Sequence, residues 1–162
     1  MKCPVCGREM RITEIPYEIP YFGKAVLFSL ICSCGYKFSD VILPEAKSGA
    51  KYRIKVNEST LSARVIKSSS ATIRIPELGI EVFPGPASEG YISNVEGVLL
   101  RIENAVKIAM LFSEREGERK RGKEVLETLE KARKGKKEIT LIIEDSTGNS
   151  AILHELAEKE EI

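Results

Sequence analysis

Four cysteines fall within the first 34 residues, as Cys3-Pro-Val-Cys6 and Cys32-Ser-Cys34 with 25 residues between the pairs, and no cysteine follows. Two short pairs on separate turns supply four thiolates, the donor set of a closed tetrahedral Zn2+ site. Gly7 and Gly35 each follow a pair, where a glycine lets the backbone fold its amides towards sulfur. Paired cysteines also occur as disulfides, as redox Cys-x-x-Cys motifs and as merely buried thiols. Disulfide frameworks belong to small secreted scaffolds, and the redox motif follows a strand inside a βαβ unit, whereas Cys3 stands at the start of this chain. The expectation is one structural Zn2+ held by Cys3, Cys6, Cys32 and Cys34. The single residue between Cys32 and Cys34 is shorter than the usual zinc-ribbon spacing of two. Residues i and i+2 of a strand share a face, so those two thiols can still converge.

Little else in the chain has the makings of a reaction centre. A catalytic zinc keeps an open position and commonly uses His or carboxylate ligands beside a general base. His154 is the only histidine, 120 residues after Cys34, and Asp40 and Asp145 are the only aspartates. His154 reads as an ordinary strand or edge residue, and the chain is not expected to be an enzyme. Arg119-Lys120-Arg121-Gly122-Lys123 is a dense basic cluster that could meet phosphates or an acidic protein surface, and plain solvation is the better account of it. No aromatic residue is interleaved with it, so the stacking of single-stranded RNA recognition is missing. Tyr17, Tyr21 and Phe22 are candidate partner contacts, or packing between two parts of the fold.

With 162 residues, 43% hydrophobic and 30% charged, the chain has room for one ordinary domain or a small module joined to one. A net charge of +1 gives no global pull towards nucleic acid or membrane, so such binding needs a local patch. Lys2, Arg8 and Glu9 disfavour a secretory signal, and the apolar stretch from Ala25 to Cys32 is far below the roughly 20 residues needed to cross a bilayer, which points to the cytoplasm. Glutamine is absent while Glu, Lys and Arg abound, a bias of proteins from hot environments.

The elements that must position the cysteines can be read from periodicity. Pro16 and Pro20 forbid a helix, so Ile15 to Gly23 is expected as an extended loop, with strands over Lys24 to Cys32 and Tyr36 to Leu43. Pro44 to Gly49 reads as a linker, dividing a zinc finger at 1–43 from a β-rich body at 44–162. Alternation at Tyr52, Ile54 and Val56, at Leu61, Ala63 and Val65, and at Ala71, Ile73 and Ile75 predicts successive half-buried strands, with a short one over Ile80 to Phe83. Ser93-Asn94-Val95-Glu96 matches a capping box and opens a helix whose apolar stripe runs from Val95 to Met110. A second helix after Gly117 makes a helical hairpin over about 93–135, its connection carrying the basic cluster. Glu138 to Glu144 and Ala151 to Leu156 read as a β-hairpin turning at Gly148-Asn149, and the acidic end from Glu155 as frayed.

In order along nearly the whole chain, Cys3-Pro-Val-Cys6, Ile19-Pro-Tyr-Phe22, Cys34-Gly35-Tyr36, Tyr52 to Val56 and Val65-Ile-Lys-Ser68 resemble the ZPR-type zinc-finger family. Ile73-Arg-Ile-Pro-Glu-Leu78, Pro84-Gly85, Asn94-Val-Glu-Gly97 and Asp145 to Ile152 complete the series, which is similar to the single-unit archaeal form. Two departures stand out: Cys32-Ser-Cys34 where the family usually spaces the pair by two, and Ser146 where Pro commonly follows Asp. The resemblance implies a mainly β fold with α, namely a zinc-ribbon-like finger joined to a double-stranded β-helix-like body with an inserted helical hairpin. It also implies a non-enzymatic protein-interaction module that binds translation elongation factor 1-alpha or assists its folding in a chaperone-like way. Two alternatives remain open, an RNA- or ribosome-associated zinc-ribbon protein and a small-ligand-binding β-helix domain.

Overall fold

The computed structural model describes residues 1–20, 23–46 and 48–162. Its strands are β1 (Arg11–Ile19), β2 (Gly23–Ile31), β3 (Lys37–Ile42), β4 (Ala50–Val56), β5 (Arg64–Lys67), β6 (Thr72–Ile75), β7 (Ile80–Val82) and β8 (Tyr91–Asn94). Helices α1 (Val95–Phe112) and α2 (Glu116–Arg133) follow, then β9 (Ile139–Asp145), β10 (Ala151–Leu153) and β11 (Glu158–Glu161). The architecture is mainly β with one helical hairpin set between β8 and β9, as the sequence implied.

The amino-terminal segment forms an antiparallel sheet in the order β1-β2-β3. Residues 15–19 of the stretch expected as an extended loop are instead the outer part of β1, in which Pro16 stands opposite Val26. Proline is admissible there because β1 is an edge strand with β2 as its one neighbour, leaving an outward side with no ladder bonds to lose.

Two further sheets, β10-β5-β8 and β11-β4-β9-β6-β7, enclose the main core. The alternation of β4 buries Ala50, Tyr52, Ile54 and Val56 and leaves Arg53 and Lys55 outside. Register then places Tyr52 opposite Ile143, with Ile73 opposite Ile143 on its other side, and Ile54 opposite Leu141, so apolar rows cross the sheet. β9 is the central strand, and Ile139 to Ile143 are all buried.

Several boundaries differ from the sequence-based expectations, each for a local reason. Leu61 and Ala63 lie in a turn, because Asn57 and Thr60 hydrogen-bond across it and start β5 only at Arg64. The helix cap is Asn94, whose Oδ1 accepts from the Gly97 amide at 2.8 Å; Ser93 is held in the β8 ladder opposite Val65. The basic cluster lies inside α2, since the turn between the helices is confined to 113–115. β9 and β10 do not form a hairpin with each other, for β10 pairs with β5 in the other sheet. Gly148 closes a turn by donating its amide to the Asp145 carbonyl and is not its first central residue. The acidic end is strand β11, laid against β4 with Lys159 opposite Tyr52.

Candidate metal centre

Each cysteine pair sits on a tight turn built in the same way. The Cys3 amide donates to the Arg8 carbonyl at 2.8 Å and the Gly7 amide to the Cys3 carbonyl at 2.9 Å. In the second turn the Cys32 amide donates to the Tyr36 carbonyl at 2.9 Å and the Gly35 amide to the Cys32 carbonyl at 3.0 Å. Gly7 and Gly35 have φ of 72° and 95°, in the left-handed region that a side chain disfavours. The second turn is one residue shorter between cysteine and glycine, and this absorbs the missing residue of Cys32-Ser-Cys34. The bridge from Lys2 to Glu9 and the β2–β3 ladder bring the two turns face to face.

All four Sγ atoms lie within 4.8 Å of one another, with Cys3–Cys34 at 3.7 Å and Cys6–Cys32 at 3.4 Å. These separations exclude disulfides, whose sulfurs are about 2.05 Å apart. They suit zinc: Zn–S bonds of about 2.3 Å in a tetrahedron put the sulfurs about 3.8 Å apart. Cys3 and Cys32 are buried, and with Met10 and Leu30 they form a small core of their own, flanked by Phe28, Tyr36 and Phe38. Cys6 and Cys34 face outwards.

Four close sulfurs cannot all ionise without a cation, and the outer pair divides accordingly. Hydrogen bonds from the Arg8 amide and then its side chain pull the Cys6 thiol down to about 6. The Tyr36 amide favours the Cys34 thiolate, but hydrogen bonds to the other thiols, with desolvation, prevail and push it up to about 11. A divalent cation replaces those protons and satisfies all four donors at once. Arg8 was not legible as part of the site, for a basic residue two places after a cysteine has no distinctive pattern.

The other singled-out residues go elsewhere. His154 accepts the Leu156 amide at Nδ1 and is outside the thiol cluster. Tyr17 accepts a hydrogen bond from Arg64 at 2.5 Å, while Tyr21 and Phe22 lie outside the described residues. Arg119 donates to the Ser113 carbonyl at 2.9 and 2.6 Å, and Arg121 donates to the Leu78 carbonyl and pairs with Glu124, so half the basic cluster is engaged within the fold.

Both aspartates turn out to hold one turn, Ser68 to Ser70. Asp40, on β3, accepts the Ser69 amide at 2.6 Å and the Ser69 hydroxyl. Asp145, fully buried on β9, accepts from Ser68 and Ser150 at 2.7 Å and from Ser70 at 2.9 Å. Burial raises the Asp145 carboxyl, but donation from Ser150, Ser68 and Thr147 outweighs it and holds the group below the usual aspartate value. The cysteine-bearing sheet is thereby fixed to the body, with further bonds from the Gly90 amide to the Ser39 carbonyl and from Leu43 to Asn149.

A family model described as the ZPR1 jelly-roll domain matches residues 59–161. An uncharacterized ZPR1-like protein of Methanocaldococcus jannaschii is 43% identical over 164 residues, spanning 99% of this chain and 83% of that protein. A second ZPR1-like protein, from Pyrococcus horikoshii, is 41% identical over 160 residues, 94% of this chain and 72% of its own length. A zinc finger chaperone of Schizosaccharomyces pombe is 29% identical over 159 residues, 91% of this chain but 34% of the longer protein. A four-thiol set of this geometry, in a chain whose relatives are named zinc finger proteins, takes Zn2+ as its cofactor. Among the described residues, no helix is long and apolar enough to cross a membrane.

Proposed function

We propose that this chain, which belongs to the ZPR1 family in its single-unit archaeal form, uses Cys3, Cys6, Cys32 and Cys34 to hold one structural Zn2+ and works as a protein-interaction module. Its partner in this reading is the archaeal elongation factor 1-alpha, which it binds and helps to fold in the cytoplasm. The observation that carries the reading is the cluster of four cysteine sulfurs: with all four bound to one zinc, no tetrahedral position would be left for substrate or water, and the metal would organise a surface and take no part in chemistry. The name of the fission yeast relative, a zinc finger chaperone, supports a protein client.

The chain divides functionally into a finger at 1–43 and a body at 44–162, joined through Asp40 and Ser69. Zinc fixes the two turns of the finger, and the body supplies a rigid base against which the finger keeps one orientation. In this reading the chain's role is non-enzymatic, as the names of its zinc finger relatives support.

Titrating the zinc-loaded protein into purified elongation factor 1-alpha from the same source, in its nucleotide-free, GDP and GTP states, tests the partner. Saturable binding that disappears when zinc is removed is expected. No binding in any state overturns the partner and leaves the module's client to be sought elsewhere.

A further inference from the structure

Between β1–β2 and the β5–β8 pair runs an open groove of about 420 Å3, lined by Tyr17 and Leu27 on one side and by Ser62, Arg64, Ile92, Ser93 and Asn94 on the other. Its polar chemistry is one-sided. Arg64 has no carboxylate within ion-pair distance among the described residues, and no acidic side chain lines the groove. Arg64 Nη1 donates to the Tyr17 hydroxyl at 2.5 Å, and its guanidinium carbon lies 5.6 Å from the ring centre. Because the phenol oxygen accepts that bond, its own proton is free to donate into the groove.

The remaining lining adds neutral donors. The Asn94 Oδ1 is taken by the Gly97 amide, which leaves the Asn94 amide nitrogen as a donor. The hydroxyls of Ser62 and Ser93 make no hydrogen bond to other side chains or backbone among the described residues. Ser93 Oγ packs against the bare first turn of α1, where a Cβ at Gly97 would collide with it. The first amides of that helix are already used, Val95 by the Ala63 carbonyl and Glu96 by the Leu61 carbonyl, so α1 contributes only its positive end to the local field.

We propose that this groove is a binding site for an oxyanion, a carboxylate or phosphate group, carried on a partly apolar body. A planar guanidinium with free N–H groups, flanked by hydroxyl and amide donors and facing no carboxylate, matches the acceptor geometry of such a group. Leu27 and Ile92 offer the apolar wall for what the anion is attached to. The site needs both the finger sheet and the body, because Tyr17 and Arg64 come from different sheets. It is independent of the identity of the protein partner and of the zinc ligands.

The test uses the intact zinc-loaded protein, isotopically labelled, titrated with inorganic phosphate and separately with acetate at constant ionic strength. The Arg64 side-chain N–H, the Asn94 side-chain amide and the Ser93 backbone amide are followed by NMR. Saturable shifts with phosphate alone indicate a phosphorylated ligand, and saturable shifts with acetate indicate a carboxylate; either supports the site. Arg64→Gln should weaken the binding by about tenfold or more with zinc content unchanged. Should that variant fold poorly, Tyr17→Phe and Ser93→Ala, which each delete one neutral donor, should weaken it by smaller amounts. The proposal is overturned if neither anion gives a saturable shift, or if the shifts persist undiminished in all three variants.

Discussion

The two cores of this molecule are held together by different forces. Around the metal centre the buried side chains are Cys3, Met10, Leu30 and Cys32, so half of that small core consists of thiols that need a cation. The body buries a continuous set of Ile, Val, Leu and Ala from β4, β5, β6, β9 and the hairpin. A region with too little apolar surface folds through metal bonds, whereas a region with a closed sandwich folds through burial. The two regions merge at Ile19, Ala25, Val41 and Leu43, which lie in or beside the first sheet and belong to the main core.

Removing zinc should separate the two regions most sharply, because a structural site of this kind supplies about 10–16 kcal/mol of apparent binding energy. With a chelator, or in Cys3→Ser or Cys32→Ser, hydrogen exchange should become fast around residues 1–10 and 31–37, while β4 and β9 keep their protection. Equal loss in both regions would mean that the cores are not separable. The reciprocal change, Ile143→Ala in the fully buried row beside Tyr52 and Ile73, should cost about 2–5 kcal/mol in a denaturant melt and leave the zinc stoichiometry intact.

Asp145→Ala acts at the joint between the two regions. It strands the hydroxyls of Ser68 and Ser150 and should cost about 1–3 kcal/mol. Because the folded Asp145 carboxyl lies below its ordinary value, its contribution is complete above the usual aspartate range, near about pH 4, and is lost as pH falls through the lower folded value. The stability gap between wild type and variant should therefore be constant near neutrality and close in acid, as measured by denaturant melts across that range. The smallest effect is expected at the hairpin tip, where Leu111 and Phe112 are 80% and 83% exposed. Leu111→Ser or Phe112→Ser should change the melting free energy by no more than about 0.5 kcal/mol.

The two cysteine pairs, the mainly β architecture and the helical hairpin were all legible in the sequence, because each rests on short-range pattern. Cysteine spacing with a following glycine, period-two burial in β4 and the apolar stripe of α1 are properties of a few consecutive residues. What was misread depends on pairing. Pro16 signalled an extended loop, yet an edge strand accepts it; Glu158 to Glu161 carry no apolar pattern, yet the open edge of β4 gives them a ladder. The strand β8 and the shift of the helix cap from Ser93 to Asn94 follow from the same cause, since β5 extends its pairing through Asn94.

By itself the sequence determined the two cysteine pairs that can serve as metal donors and the identity of most elements, since cysteine spacing and side-chain periodicity are local. Only the tertiary structure decided that the cysteine pairs meet with all sulfurs within 4.8 Å, that β9 and β10 part into different sheets, and that Asp40 and Asp145 grip a single turn. It likewise decided that Tyr17 and Arg64 face each other across a groove. These are contacts between residues far apart in the chain, and their geometry depends on strand register and sheet packing, which no local pattern of residues encodes.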